Sequence, residues 1–204
     1  MIKGRKVILW VLIVQTQLIF LMLIYNHFKI GRIEEKVWNT NKFLFETILP
    51  DRIKALNNHS SAEVIAGRGD APHSVVLYVK DNCTYCEMFF RKEYADLYAN
   101  VLDKQNINLV IRTLDSINNE EKLGLFLDNL VVETDSLIKP NLARKDFEKL
   151  RFDFKSNLIK AHKAGINATP SFIIGNQLYK GFRTAKQLEE LINQNLYSND
   201  QTNY

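Results

Sequence analysis

The chain has 204 residues, of which 46% are apolar and 25% charged, and its formal net charge is +4. This length and composition suit one domain with a substantial core and exclude a disordered chain. Lysines and arginines are interspersed with acidic residues, so we expect no nucleic-acid partner. Two cysteines are too few for the disulfide framework of a small secreted domain, so they either pair with each other or hold a metal.

The first distinctive segment, residues 7–25, reads VILWVLIVQTQLIFLMLIY and contains only three polar residues. A helix of this length measures about 28 Å, close to the ~30 Å hydrocarbon core of a bilayer. A cleavable signal peptide would have a shorter apolar run that ends in small residues, whereas the first alanine of the chain is Ala55. The sequence therefore predicts an uncleaved transmembrane helix over 1–28 that anchors the chain in a lipid bilayer.

Positive charges flank this segment unevenly, with Lys3, Arg5 and Lys6 before it and Lys29 and Arg32 after it. Because positive residues are enriched on the cytoplasmic side, this bias favours a cytoplasmic N-terminus. We therefore expect a single-pass protein of the cell inner (cytoplasmic) membrane, with the remaining chain on the periplasmic or extracytoplasmic side. That compartment permits disulfides.

Residues 29–73 are expected to form a juxtamembrane helix and a linker. Apolar residues between 33 and 57 recur with roughly helical spacing. The following stretch, 57–74, is rich in turn-forming residues, apart from a short predicted strand at Ala62–Ala66.

Residues 74–197 begin with an alternation of strand and helix patterns. Ser74–Val79 is a continuous apolar, β-branched run, which is typical of a buried parallel strand, and Ile107–Leu114, INLVIRTL, is predicted to be a second buried strand. Between them, Asn82 is a suitable N-cap for a helix whose apolar residues recur through 90–101. The order of strand, helix and strand predicts a βαβ unit.

The second half of this domain predicts a helical region, a hairpin and a final helix. The helical region extends from Ser116 to about Lys163. The hairpin has Gly175-Asn176 at its turn, and Thr184 is the expected N-cap of the last helix. Residues 198–204 form a polar tail.

The only two cysteines, Cys83 and Cys86, lie in the stretch KDNCTYCEMFF, where the predicted helix begins. The first sulfur of such a C-x-x-C motif lies among unpaired backbone N–H groups at the positive end of the helix, which favours its thiolate. The second sulfur, one turn later, is within disulfide reach. The motif predicts a nucleophile at Cys83 and a resolving thiol at Cys86, and thiol–disulfide exchange by such a pair needs no cofactor.

A metal site is the alternative reading of two cysteines at this spacing. A structural zinc site usually has four Cys or His ligands. The chain has no other cysteine, and its four histidines show no ligand spacing. We therefore expect no metal.

A second motif, Thr169-Pro170, immediately precedes the predicted strand at Ser171–Ile174. Proline is tolerated at the start of a strand; a trans loop proline is the common case, whereas a cis bond would leave neighbouring backbone groups free to bind another extended chain. The strand, the C-x-x-C helix, the second strand, the helical region and GINATPSFIIGNQLYKG together resemble the thioredoxin superfamily. More narrowly, they resemble the DsbA-like thiol:disulfide oxidoreductases.

The resemblance covers roughly Val75–Leu196 and implies an α/β thioredoxin fold with a helical insertion at about 116–156. It implies that Cys83 and Cys86 are catalytic. It also implies that Pro170 is cis and faces the cysteines.

The same resemblance implies a substrate-binding role for Thr169 and Pro170, and for Thr84 and Tyr85 between the cysteines. The implied partners are proteins or peptides with thiols or disulfides, and a membrane or soluble redox partner. One departure from the family is Leu77, which occupies the position of a buried acid. The Thr84-Tyr85 dipeptide also differs from the Pro-His of the strongest oxidants.

The sequence therefore predicts a thiol:disulfide oxidoreductase that acts on extracytoplasmic protein substrates, with disulfide formation favoured. A disulfide isomerase or reductase of the same fold is one alternative. A non-catalytic assembly or binding module of a membrane secretion or conjugation apparatus is an alternative of another class.

Overall fold

The computed structural model of the protein describes residues 49–67, 71–134 and 136–197, together with Met22, Tyr25 and Lys29. The chain divides into two compact units between residues 48 and 49, and the fold below is that of the second unit. Most of the predicted anchor and the whole of the polar tail lie outside the described residues. Within the described part of the chain, no helix has the length and apolar character needed to span a membrane.

Short helices and strands alternate along this unit. In chain order they are α1 (Leu49–Lys54), β1 (Val64–Ala66), β2 (His73–Val79), α2 (Thr84–Lys92), α3 (Tyr94–Leu97), α4 (Asp103–Gln105), β3 (Ile107–Thr113), α5 (Glu120–Glu133), α6 (Phe147–Lys163), β4 (Ser171–Ile174), β5 (Gln177–Lys180) and α7 (Ala185–Ile192). One π-helical turn, Tyr98–Leu102, joins α3 to α4, and another, Asn193–Tyr197, follows α7.

The five strands form one sheet in the order β1-β3-β2-β4-β5. The central strands β2 and β3 are parallel, whereas the other neighbouring pairs are antiparallel. Every residue of β3 is buried, including the polar Asn108, Arg112 and Thr113, so its sequence does not alternate between apolar and polar residues. The predicted βαβ unit is confirmed.

Successive residues of the sheet point into two different apolar layers, as the period of two in a strand requires. Leu77 and Phe172 point into the layer that contains the buried Cys86. Tyr78 and Val110 point into the other layer. Cys86 therefore belongs to the first apolar layer, and Cys83 packs against that layer. The second layer contains neither cysteine.

The segment before β1 is part of the domain, although the sequence placed it within the linker 29–73. Ile53 and Leu56 are buried in the second apolar layer. Arg112 of β3 donates a hydrogen bond to the Leu56 carbonyl at 2.6 Å and forms a buried ion pair with Glu63 at 2.7 Å. A helix that packs on a sheet and a free-standing juxtamembrane helix have the same apolar spacing, so periodicity alone did not separate them.

The helical region between β3 and β4 consists of α5, a single 3₁₀ turn (Arg144–Asp146) and α6. The Asn119 side chain caps α5 by accepting a hydrogen bond from the Lys122 N–H at 2.8 Å. Arg144 forms an ion pair with Asp128 of α5. Gly165, with φ +77°, adopts the left-handed conformation that ends α6.

The predicted hairpin and final helix are confirmed. Gly175, with φ +59°, occupies the turn between β4 and β5, where a residue without a side chain is favoured. The Thr184 hydroxyl accepts the Gln187 N–H at 3.2 Å, and the Gln187 side chain accepts the Thr184 N–H at 3.0 Å. These reciprocal bonds form the capping box that starts α7.

Candidate active site

The helix that carries both cysteines starts one residue later than the sequence predicted. Cys83, and not Asn82, is the N-cap of α2, and its Sγ accepts a hydrogen bond from the Cys86 N–H at 3.2 Å. Asn82 has φ +53°, a left-handed conformation that asparagine tolerates better than most residues. An N-cap needs extended backbone, so the left-handed turn moves the cap to Cys83 and places its sulfur at the helix N-terminus.

Cys83 and Cys86 are joined by a disulfide, with their Cα atoms 5.2 Å apart. Cys86 is 2% exposed and packs in the first apolar layer. Cys83 is partly exposed. A thiol that approaches from solvent therefore reaches the Cys83 sulfur first.

The loop between α6 and β4 brings Thr169 and Pro170 to the disulfide. The Thr169-Pro170 peptide bond is cis, as the resemblance implied. The Thr169 hydroxyl donates a hydrogen bond to Cys83 Sγ at 3.2 Å. Behind this contact, the Gly181 N–H donates to the Pro170 carbonyl at 2.8 Å and ties the loop to the end of β5. The C-x-x-C motif and the Thr169-Pro170 motif are thus in contact at Cys83 Sγ.

The remaining predicted site residues, Thr84 and Tyr85, lie in the first turn of α2. Both are exposed, and the Tyr85 side chain is 60% exposed. Neither side chain is charged, so the positive potential beside Cys83 comes from the N-terminus of α2 and not from these two residues. Leu77, where the family has an acid, is fully buried in β2.

A hydrogen-bonded network that the sequence analysis missed holds the loop before Cys83. The Asp81 carboxylate accepts the Asn82 N–H at 3.0 Å and the Asn129 side chain of α5 at 3.1 Å. The Asp81 N–H donates to the Asp115 carboxylate at 2.5 Å. Asn129 lies 48 residues from Asp81 along the chain, so no local sequence pattern could predict the contact. The network links α5 directly to the loop that precedes Cys83.

A partly buried carboxyl group, Glu133, lies at the end of α5, where burial and the charges of Glu87 and Arg91 in α2 shift its pKa. Burial raises the pKa of Glu133, the negative charge of Glu87 raises it further, and Arg91 lowers it. Glu87 and Arg91 form an ion pair at 3.1 Å along α2. Negative charge in the first turn of α2 disfavours a thiolate at Cys83 and opposes the effect of the helix dipole.

A cavity of about 260 Å³ opens between α5 and the strand end that leads to Cys83. Phe90, Phe126 and Leu130 form much of its apolar wall, and Lys80 and Asp81 lie at its rim. This volume is below the ~300–1,000 Å³ of typical small-molecule pockets.

The comparisons with known proteins rest on solved structures, because no family model and no curated protein matches the chain. A linker-deletion mutant of Proteus mirabilis ScsC aligns with a TM-score of 0.53 and 19% identity, over 82% of this chain and 93% of its own. The thiol-disulfide exchange protein alpha-DsbA2 of Wolbachia pipientis aligns with a TM-score of 0.51 and 11% identity, over 72% of this chain and 95% of its own. For Chlamydia trachomatis DsbA, the TM-score is 0.51 and the identity 13%, over 72% of this chain and 97% of its own.

The chain therefore has the mixed α/β, thioredoxin-like fold of DsbA-like and ScsC-like thiol-disulfide exchange proteins. The fold implied by the resemblance of its sequence is confirmed. At identities of 11–19%, this likeness establishes the fold alone. The function has to be argued from the residues around Cys83.

Proposed function

We propose that the chain is a protein thiol:disulfide oxidoreductase in which Cys83 forms the mixed disulfide with protein substrates. Cys86 is the thiol released when the pair oxidises a substrate and the resolving thiol in the reverse direction. The observation that carries this proposal is the arrangement at Cys83. Cys83 is partly exposed at the N-terminus of α2 and its sulfur accepts a hydrogen bond from the Thr169 hydroxyl, while Cys86 is buried. A disulfide with only a structural role needs no accessible sulfur at a helix N-terminus.

In the oxidising direction, a substrate thiolate attacks Cys83 Sγ, forms a substrate–Cys83 disulfide and releases Cys86 as a thiolate, which takes up a proton. A second substrate thiolate then attacks the substrate sulfur of this mixed disulfide. Cys83 leaves as a thiolate, so the substrate gains a disulfide and the enzyme pair gains two electrons. A separate redox partner, membrane-bound or soluble, must accept those electrons before the next cycle.

The groups around Cys83 favour its role as the leaving thiolate. The Cys86 N–H and the Thr169 hydroxyl each donate to its sulfur at 3.2 Å in the disulfide form. Both bonds strengthen when the sulfur carries a negative charge, and the positive end of α2 adds to them. A thiol of lower pKa leaves faster, so these groups accelerate the second step, in which a substrate thiolate displaces Cys83. The first attack is directed to Cys83 by access, because Cys83 is partly exposed and Cys86 is buried.

The substrate backbone is proposed to lie along the loop at Thr169 and Pro170 as an added strand. Thr84 and Tyr85 would contact its side chains. The exposed Tyr85 ring supports this role, because it offers apolar area with little loss of side-chain entropy.

Disulfide formation is the proposed direction, and isomerisation or reduction by the same pair is the alternative. The extracytoplasmic compartment expected from the sequence favours oxidation, whereas the uncharged Thr84-Tyr85 dipeptide and Glu87 lower the reduction potential. We therefore expect a potential between the roughly −270 mV of thioredoxin and the roughly −120 mV of DsbA. Equilibration of the pair with glutathione measures it, and a value equal to that of thioredoxin would refute the oxidase assignment.

Two activity assays separate an enzyme from a binding module. The protein should accelerate the oxidative refolding of reduced ribonuclease, or else the reduction of insulin, and Cys83→Ser should abolish the activity. The absence of turnover in both assays would favour the non-catalytic assembly or binding module.

We further propose that residues 1–28 anchor the chain in the cell inner membrane and that the domain, assigned to 74–197 from sequence, works on the periplasmic or extracytoplasmic side. The support is the length of the apolar run and the excess of positive charge before it. Alkaline phosphatase fused after Tyr204 should be active. An inactive fusion, beside an active cytoplasmic reporter at the same site, would reverse the topology.

A further inference from the structure

Two large apolar side chains, Phe152 and Ile159, lie on the outward face of α6. Phe152 is 69% exposed and Ile159 is 44% exposed. Seven residues of α-helix fall only about 20° short of two full turns and rise about 10.5 Å. The two side chains therefore form one stripe along the helix.

Positive side chains flank this stripe on both sides. At about 100° per residue, Arg151 and Lys155 fall to one side of the stripe, and Lys149 and Lys160 fall to the other. All four are exposed. Among the described residues, the three lysines form no ion pair, because the salt bridges of α6 involve only Arg151, which lies 3.5 Å from Glu148.

The positive charge of this face is a local feature and not a reflection of composition. Residues 49–204 contain 20 Lys and Arg and 20 Asp and Glu, so the unit as a whole is neutral. On the outward face of α6, however, Lys149, Arg151, Lys155, Lys160 and Lys163 accompany one exposed carboxylate, that of Glu148.

We propose that this face of α6 rests on the surface of an anionic lipid bilayer. An apolar stripe between rows of Lys and Arg is the pattern of helices that lie in a membrane interface. The apolar side chains enter the headgroup boundary, and the long basic side chains extend sideways to lipid phosphates. The charge of the face complements that of the lipid.

The pattern favours a bilayer over a protein partner. Two copies of the same face, packed about a two-fold axis, would bring like charges together. A groove of about 600 Å³ beside α6 includes the stripe itself. Its lining contains Phe152, Ile159, Arg151, Lys155 and the acidic Glu148, but neither Lys149 nor Lys160. A peptide in that groove would leave the second row of cations without a partner, whereas a planar surface reaches both rows. An N-terminal anchor would keep the domain near a bilayer, but the pattern of α6 is a separate observation.

The test places a probe on this face of the full chain. With Cys83 and Cys86 changed to Ser, an environment-sensitive fluorophore is attached at Ser156→Cys, and the protein is reconstituted into vesicles that contain nitroxide-labelled lipid. One set of vesicles is phosphatidylcholine, and the other is an equimolar mixture with phosphatidylglycerol. A matched label at Glu190→Cys, on α7, reports a helix outside the proposed contact.

We expect the label at Ser156→Cys to be quenched in the anionic vesicles and to be quenched much less in neutral vesicles or at high salt. The label at Glu190→Cys should not be quenched in either set of vesicles. Each basic residue near an anionic surface strengthens binding about fivefold. Lys149→Glu with Lys160→Glu should therefore lower the contact at least about tenfold, whereas Lys104→Glu with Lys186→Glu, of equal charge change, should leave it intact.

Several outcomes would overturn the proposal. One is a Ser156 label without quenching in anionic vesicles, and another is equal quenching at both label positions. Concentration-dependent self-association through α6 would show a face for a second copy. A response to an acidic, Phe-containing peptide but not to vesicles would show a peptide-binding face. Phe152→Ser, which keeps all charges, gives an independent check, since it should also weaken the contact while the unfolding transition stays unchanged.

Discussion

Removing the Thr169 hydroxyl should make Cys83 a poorer leaving group and lower the reduction potential of the pair. Thr169→Val keeps the shape of the side chain but deletes the donor that lies 3.2 Å from Cys83 Sγ. Hydrogen bonds to charged groups contribute about 1.5–3 kcal/mol. Since Cys83 is partly exposed and sulfur is a weak acceptor, we take a value just below this range, about 1.4 kcal/mol.

This free energy acts only on the thiolate, so it raises the pKa of Cys83 in the variant by about one unit. For the two-electron couple it corresponds to a reduction potential about 30 mV lower, because the reduced form loses the stabilisation. The disulfide form should melt at nearly the same temperature as the unaltered protein, since its sulfur is uncharged.

The pH dependence of Cys83 alkylation in the reduced protein measures the first effect, and equilibration with glutathione measures the second. Thr84→Val is the matched control, because it removes a hydroxyl from the adjacent residue that makes no bond to the sulfur in this structure. The reasoning is wrong if Thr169→Val leaves both quantities unchanged, or if Thr84→Val shifts them equally.

Three further results are expected. Cys86→Ser should accumulate mixed disulfides with substrate proteins, and Cys83→Ser should accumulate none. Mass spectrometry of trapped adducts measures both. Faster iodoacetamide labelling of Cys86 than of Cys83 in the reduced protein would contradict the proposal that Cys83 is the nucleophile. Arg112→Met should lower the free energy of unfolding by about 3–5 kcal/mol in urea titrations, because the buried Glu63 carboxylate loses its buried cation and keeps only its contact with the exposed His59, at 2.8 Å. The additional change Glu63→Gln should recover part of the loss, and a neutral single variant would refute this account. Burial and a neighbouring carboxylate raise the pKa of Glu133 in the folded state, so the fold loses stability as this carboxyl ionises with rising pH. Glu133→Gln should therefore stabilise the fold at pH 7 and have no effect below about pH 4. An equal effect at both pH values would show that ionisation of Glu133 is not the cause.

The sequence by itself determined the fold class and the redox pair. Ser74–Val79 is almost entirely apolar and Ile107–Leu114 is mostly apolar, because strands covered on both faces bury nearly every side chain, and each run shows this pattern in its own sequence. Cys83 and Cys86 are neighbours along the chain, so their spacing alone specified a pair within disulfide reach at a helix start. The order of these elements with Thr169-Pro170 was enough to indicate the thioredoxin-like architecture.

The tertiary structure alone decided which groups surround Cys83. Thr169 reaches Cys83 across 86 residues of chain, and Asp81 meets Asn129 of the insertion. Such contacts leave no periodic or spacing signal, since they arise only when packing closes the intervening chain into a fixed geometry. The same holds for Arg112, whose burial depends on Glu63 and on carbonyls from the segment after α1. A local pattern records whether a residue is buried, but only the packed chain determines which residue it is buried against.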